Sequence, residues 1–261
     1  MRLIFSFILC ALLWGTAAAQ TGKRTPLTPY KVVNVYPHDT AAFTQGLLFH
    51  DGFLYEGTGH YTQSRIRRVD IKSGHPQQEW ELPDQLFGEG LTLWRDYLFS
   101  ISWRSGVGFV LDHKSLKPVG YFKYDGDGWG LADDETHLYM TDGTDRIYVR
   151  DPETFRVVKT IDVKDQGRPI IKLNELEWIN GEIWANIWKE NRIARIDPAT
   201  GQVKAWLDLS DIAARTKGAD NIDKVLNGIA FDPQTGRVFV TGKYWPNMYE
   251  LDIQGLKGTA K

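Results

Sequence analysis

A chain of 261 residues, 42% hydrophobic and 25% charged, is long enough to bury a full core and has the composition of an ordinary folded protein. A net charge of −2 with no run of Lys or Arg gives no sign of a nucleic-acid or anionic-membrane partner, so neither is expected. Ten Trp, 11 Tyr and 12 Phe point to pleated sheet, on which large flat side chains pack well.

The first 20 residues, MRLIFSFILCALLWGTAAAQ, contain Arg2, an apolar stretch from Leu3 to Trp14 and the small residues Ala17, Ala18 and Ala19. That is the pattern of a secretory signal over residues 1–19, cleaved before Gln20; the apolar run is too short to span a bilayer. Cleavage removes Cys10, the only cysteine. Residues 20–261 are then expected to form one exported domain, periplasmic or secreted, free of the membrane and stable without disulfides.

Tyr30 to Tyr36 (YKVVNVY) reads as a strand, and a repeat begins after it. Five frames open with Gln45-Gly46-Leu47, Glu89-Gly90-Leu91, Trp129-Gly130-Leu131, Asn174-Glu175-Leu176 and Asn227-Gly228-Ile229, spaced 44, 40, 45 and 53 residues apart. Those periods suit propeller blades. Each opening leads to a second strand (FLYEGTG, YLFSISW, HLYMTDG, EIWANIW, RVFVTGK) and then to a third that ends on an acid: Asp70, Asp112, Asp151, Asp197 or Asp252. The acids are expected to cap the turns that follow. A fourth strand closes the first four frames, and the fifth lacks one. YKVVNVY is free to supply it, which predicts an all-β, five-bladed propeller closed by pairing the N-terminal strand with the last blade. An open sandwich or two small β domains explain neither the five matched frames nor the spare strand.

Residues 208–226 break the rhythm and contain a helix-compatible stretch, with Ser210 or Asp211 as its start and Gly218 as its end. This short helical insertion before the last blade is either a surface elaboration or a flap over one end of the ring.

In an antiparallel blade the start of the innermost strand and the end of the second lie at the same end of the sheet. The frames therefore place two rings of residues on one face of the disc: Gln45, Glu89, Trp129, Asn174 and Asn227 inside, and Gly59, Trp103, Gly143, Trp188 and Lys243 outside. The framework residues stay alike while these columns diverge into carboxylate, amide, indole and ammonium, which points to a pocket with apolar walls and few polar groups. Singly, each has a plainer reading. Trp103 and Trp188 suit packing between blades, Asn174 and Asn227 suit turn backbones, Gln45 suits an inter-blade hydrogen bond and Lys243 a solvated tip. Glu89 resists this, because a carboxylate in an indole-lined mouth is costly unless it is paired or functional. The six histidines (His38, His50, His60, His75, His113, His137) are scattered without metal-ligand spacing, and no phosphate loop or nucleophile elbow is present.

The motifs FTQGLLF (43–49), LYEGTG (54–59), FGEGLTL (87–93), DGWGL (127–131), LNELEW (173–178), ANIWKEN (185–191), LNGIAFD (226–232) and TGKYWP (241–246) make the chain similar to the glutamine cyclotransferase family, the plant and bacterial type of glutaminyl-peptide cyclotransferase. They span nearly all of the chain after the leader. The resemblance implies a five-bladed propeller without catalytic zinc and a catalytic carboxylate at Glu89. It places substrate-binding positions at Phe43, Gln45, Phe87, Trp103, Trp129, Asn174, Trp188 and Lys243. The implied reaction is cyclisation of an N-terminal glutaminyl residue of a peptide or protein to pyroglutamate with loss of ammonia. No cofactor is needed for it, and a structural cation on the ring axis would leave no mark in the sequence. A closed ring with few free edges is expected to be a monomer. Two other readings compete: a non-catalytic propeller that binds peptides or scaffolds partners, and a lactone or sugar-acid hydrolase. The latter would need several converging metal-binding acids where these rings hold one.

Overall fold

The computed structural model describes residues 24–216 and 222–258; the expected signal at 1–19 and the expected helix stop at Gly218 lie outside the described residues. Five four-stranded antiparallel sheets are arranged as five blades. Blade 1 runs Thr44–His50, Phe53–Thr58, Arg65–Asp70, Pro76–Glu81, and blade 2 runs Gly88–Trp94, Tyr97–Ser102, Val107–Asp112, Pro118–Lys123. Blade 3 is Leu131–Asp133, Leu138–Thr141, Arg146–Arg150, Val157–Asp162, and blade 4 is Leu173–Ile179, Glu182–Ile187, Arg192–Ile196, Val203–Asp208. Blade 5 takes Leu226–Asp232, Arg237–Gly242 and Asn247–Ile253 from the end of the chain and Tyr30–Pro37 from its beginning, with Tyr30 opposite Ile253 and Pro37 opposite Asn247. The innermost strands neighbour one another in chain order, and Leu226–Asp232 returns to Thr44–His50. The ring is closed, as the spare strand required.

Each blade-to-blade seam buries its own hydrophobic cluster. Leu48, Ile66, Leu91 and Leu98 fill the seam between blades 1 and 2; Leu47, Leu54, Ala230 and Phe239 fill the one between blades 5 and 1. The innermost strands are mostly apolar or small because both faces are covered, the buried acids and amides being exceptions described below. The outermost strands, exemplified by Pro118–Lys123, face water over most of their length. At the axis the strands approach so closely that the repeated glycine is obligatory. A Cβ on Gly90 would sit 2.5 Å from the Leu131 nitrogen, and one on Gly130 would sit 2.1 Å from the Asn174 carbonyl oxygen. Blade 4 carries Glu175 in that slot. Its carboxyl group reaches blade 5 next to it and blade 1 beyond, accepting from the Ile229 N–H at 2.9 Å and the Leu47 N–H at 3.3 Å.

The junction of blades 5 and 1 is held by a buried polar cluster. His38 lies 2.7 Å by Nδ1 from the Trp245 carbonyl and 3.0 Å by Nε2 from Glu56, Thr44 donates to Glu56 at 2.7 Å, and Arg67 bridges Glu56 and Asp39. Burial pushes the Glu56 carboxyl up, but the Arg67 and His38 charges outweigh it and hold the group well below the usual range. Burial pulls His38 down, yet Glu56 overrides it and the imidazole is raised above its ordinary value.

One expectation needs correction, and two features were not anticipated. Asp70, Asp112, Asp151 and Asp197 do cap turns, accepting from the backbone N–H of Ser73, Ser115, Thr154 and Ala199 at 2.7–2.9 Å. Asp252 instead pairs with Arg237 at 2.8 Å, and the turn after its strand is closed by backbone, the Leu256 N–H donating to the Ile253 carbonyl at 3.1 Å. The innermost strand of blade 3 is only Leu131–Asp133, starting at the leucine that follows the frame glycine where its blade 2 counterpart starts at Gly88; Asp133 and Asp134 accept from the backbone N–H groups of Glu135 and Thr136 in the turn that follows. An unanticipated hairpin, Lys164–Asp165 with Arg168–Pro169, is turned by Gln166 and Gly167, both with positive φ (50° and 82°). The helix in the insertion spans Ser210–Thr216 and buries Ile212 and Ala213 in the seam between blades 4 and 5.

Candidate active site

The inner-ring residues are positioned by a repeated irregularity. In blade 1 the ladder steps from Thr44 opposite Thr58 to Gly46 opposite Gly57, skipping Gln45. In blade 2 Glu89 and Gly90 together face one residue, in blade 4 Asn174 and Glu175 do, and in blade 5 Asn227 and Gly228 do. A bulge at this place takes the side chain out of the ladder and re-aims it. Blade 3 reaches the same end differently, with Trp129 just before its short strand and bonded to Thr141 through N–H···O at 2.9 Å.

The outer ring is clamped as well. The N–H groups of Gly59, Trp103, Trp188 and Lys243 each donate at 2.9 Å to the carbonyls of Phe43, Phe87, Lys172 and Val225 at the start of the same blade's hairpin. The glycines in this column are seats for neighbours. A Cβ on Gly59 would meet the Phe87 ring at 2.4 Å, and one on Gly143 would meet the Trp129 ring at 2.7 Å.

Phe43, Gln45, Phe87, Glu89, Trp103, Trp129, Asn174, Trp188 and Lys243 line a single cavity of about 350 Å³, toward the small end of ligand sites. Asn227 stands behind it, donating through Nδ2 to the Thr44 carbonyl at 2.9 Å and to Gln45 Oε1 at 3.3 Å, so that it orients Gln45. Trp129 and Trp188 meet edge to face with centroids 5.7 Å apart, and Phe87 meets Trp103 the same way at 5.6 Å. Two lining residues, Arg104 and Asp223, were not picked out from the sequence. Arg104 sits one place beyond the column. Asp223 comes from the insertion, which has no counterpart in other blades. The helix of the insertion packs into the seam between blades 4 and 5, and Asp223 beyond it lines the cavity.

Glu89 is 5% exposed. Burial pushes its carboxyl well above the ordinary value, Lys243 pulls the other way, and Asp127 adds to the rise. Lys243 is buried against the Phe43 ring, its Nζ 4.2 Å from the centroid. Burial lowers its pKa to about 8 against the opposing pull of Glu89 and Asp223. Both groups are therefore displaced toward neutral pH, where a proton can be taken and returned at small cost. Two further polar atoms are buried without a hydrogen-bond partner among the described residues: Trp129 Nε1, a donor, and Asn174 Oδ1, an acceptor. A ligand that presents a carbonyl oxygen beside an N–H satisfies both.

The family description for glutamine cyclotransferases matches residues 6–253. The chain belongs to the glutamine cyclotransferase family. It is 40% identical over 256 residues to a glutaminyl-peptide cyclotransferase of Arabidopsis thaliana, a match covering 96% of this chain and 80% of that protein. Its fold is similar to the crystal structure of Myxococcus xanthus glutaminyl cyclase, with a TM-score of 0.83 and 37% identity over 87% of this chain and 98% of that one. The fold shared with that member of the family is the five-bladed ring described above.

Proposed function

We propose that the protein is a glutaminyl-peptide cyclotransferase, closing an N-terminal glutaminyl residue to pyroglutamate and releasing ammonia, and that the chemistry takes place at Glu89. The observation that carries this reading is a single buried carboxyl group, displaced toward neutral pH, in an indole-walled cavity that also holds an unpartnered donor and an unpartnered acceptor. In the reaction the α-amine attacks the side-chain amide carbon. One C–N bond forms and one breaks, and a single proton passes from the attacking nitrogen to the departing one. A carboxyl group within reach of both nitrogens relays that proton, taking it on one oxygen and delivering it from the other. Amine and amide belong to one residue, so folding the glutaminyl chain for ring closure contributes much of the rate.

The walls would provide that folding: Phe43, Phe87, Trp103, Trp129 and Trp188 exclude water, which strengthens every polar contact inside. Trp129 Nε1 is suited to donate to the amide carbonyl as negative charge develops on its oxygen. Asn174 Oδ1 is suited to accept from an N–H of the substrate, and Gln45, fixed by Asn227, from another. Lys243 offsets charge beside Glu89. Export by the leader at 1–19 and action as a monomer are part of the same proposal, supported by the signal pattern and by the pairing of both chain ends within blade 5. The test is Glu89→Gln, with ammonia release measured on a Gln-initiated peptide. Turnover should fall by roughly 10²–10⁴ while the fold is kept. Near-normal turnover removes Glu89 from the proton relay, and no ammonia from the unmutated protein removes the cyclase reading in favour of a peptide-binding propeller.

A further inference from the structure

The mouth of the cavity carries charge that the cyclisation chemistry does not use. Once a glutaminyl residue fills the cavity, the next residue of the peptide must emerge at the rim. Two walls of that rim are Trp103 and Trp188, each half-buried, and each carries a cation. The Arg104 guanidinium carbon lies 4.0 Å from the Trp103 ring centroid. The Lys189 and Lys172 ammonium nitrogens lie 4.7 and 5.9 Å from that of Trp188. Arg104, Lys172 and Lys189 are all exposed. Lys172 and Lys189 also have left-handed backbones, with φ of 66° and 67°. Glycine would be less strained at both, so what lysine contributes there is its side chain.

The acids at the mouth do not cancel these charges. Asp127 is 3.9 Å from Arg104, with both side chains largely exposed, a pairing of little strength. Asp223 is on the lining and lies electrostatically beside Lys243, His60 and Tyr244, toward blade 5. Glu190, next to Lys189 in the chain, is engaged by Arg192 at 2.6 Å. No ion pair of Lys172 or Lys189 is found among the described residues.

We propose that this cationic rim makes the residue after the N-terminal glutamine a specificity position, favouring an acidic side chain there over a basic one. Arg104 reads it from the blade 2 side, and Lys172 and Lys189 read it from the blade 4 side. The inference rests on the cyclase reading and adds its substrate class. Each contact is solvent-exposed and individually weak, so the combined preference is expected to be roughly threefold to tenfold in kcat/KM.

The experiment compares Gln-Glu-Ala-Ala and Gln-Lys-Ala-Ala, both with amidated C-termini so that only the second side chain differs in charge. Ammonia release is followed at low salt and again at about 1 M NaCl, where the screening length is about 3 Å. The same pair is run on the combined variant Arg104→Gln, Lys172→Gln, Lys189→Gln. Both peptides are read within one protein, so a general loss of activity cancels in the ratio. The unmutated protein should prefer the glutamyl peptide, and the ratio should fall toward one in salt and in the variant. If the variant does not fold, the salt arm alone decides. Equal handling by the unmutated protein, a preference for the lysyl peptide, or a preference that survives both salt and substitution overturns the rim inference while cyclisation stands. Ammonia from neither peptide removes the cyclase reading, and the rim inference with it.

Discussion

Glu175 occupies the one axial slot where the other four blades have glycine, and replacing it tests how the ring is held at its centre. Glu175→Ala leaves the N–H groups of Leu47 and Ile229 without acceptors, and both residues are almost fully buried, at 2% and 0% exposure. Each buried amide left unpaired costs about 1–3 kcal/mol, so the sum is about 2–6 kcal/mol. For a chain of this size each kcal/mol moves Tm by about 2–4 °C, which places the Ala variant on the order of 10 °C below the parent. Glu175→Gln keeps an acceptor for one amide and turns an NH₂ toward the other, so it should lose about half as much. Tryptophan fluorescence during thermal and urea unfolding reads both variants.

The pH dependence gives an independent check. Burial raises the Glu175 carboxyl well above its ordinary value and the Glu177 charge raises it further, with the two amide bonds opposing. The native state therefore binds this proton more tightly than the unfolded chain does. That contribution is complete below about pH 4.3 and is eroded as pH rises toward the folded value. A glutamine has no such proton, so the advantage of the parent over Glu175→Gln should shrink as pH rises above about 4.3. An Ala variant that melts within about 1 °C of the parent shows that the amides have other partners. A gap that widens with pH shows that the charged carboxylate is the stabilising form. Either result refutes the reasoning.

Trp103→Ala removes one wall of the cavity and should raise KM for Gln-initiated peptides by roughly tenfold or more, the worth of burying one large apolar group, with kcat less affected; an unchanged KM returns this indole to packing. Lys243→Met removes the charge that pulls the Glu89 pKa down, so the limb of the kcat–pH profile that reports Glu89 should move to higher pH, and an unmoved limb shows that the two groups are not coupled. His38→Gln should cost most stability near pH 5–6, where the raised His38 is protonated and the depressed Glu56 is ionised. As pH rises above about 6.5 through the folded value of His38 the parent loses this advantage, and as pH falls below about 4.3 toward that of Glu56 it loses the carboxylate's share. A Tm difference that does not vary with pH removes the ion pair from ring closure.

Blade number, ring closure and the membership of the cavity were legible because they follow from position in a repeat. Tyr30–Pro37 had no partner in its own frame, and the only frame short of a strand lay at the other end of the chain. Glu89, Trp103 and Lys243 stood where equivalent residues should have matched and did not. What stayed hidden depends on contacts between frames. Glu175 stands where the other frames have glycine, and only the ring shows that it satisfies amides of blades 5 and 1. Asp223 lies in a segment without counterpart, so no alignment of blades could place it. Asp252 shares its column with four turn-capping acids, but the turn after it is closed by backbone between Ile253 and Leu256, and Arg237 takes its carboxylate instead.

The bulges explain why the divergent column tolerates its divergence. A residue in register on a ladder must suit the pleat and its cross-strand neighbour, and a sheet made of Gln, Glu, Asn and Asn at one buried level would be poor. At Gln45, Glu89, Asn174 and Asn227 two residues face one on the partner strand, so these side chains leave the ladder and the pairing on either side continues without them. The frame can then keep its small residues and leucines for the seams while the bulged position changes from blade to blade. Blade 3 follows the same logic just outside its short strand: Trp129 and Gly130 share Thr141, the Trp129 N–H donating to its carbonyl at 2.9 Å and the Thr141 N–H donating to the Gly130 carbonyl at 3.1 Å. Moving the register of any one inner strand by a single residue would return its bulged side chain to the ladder, so the geometry of the cavity is a property of strand pairing as much as of the residues that line it.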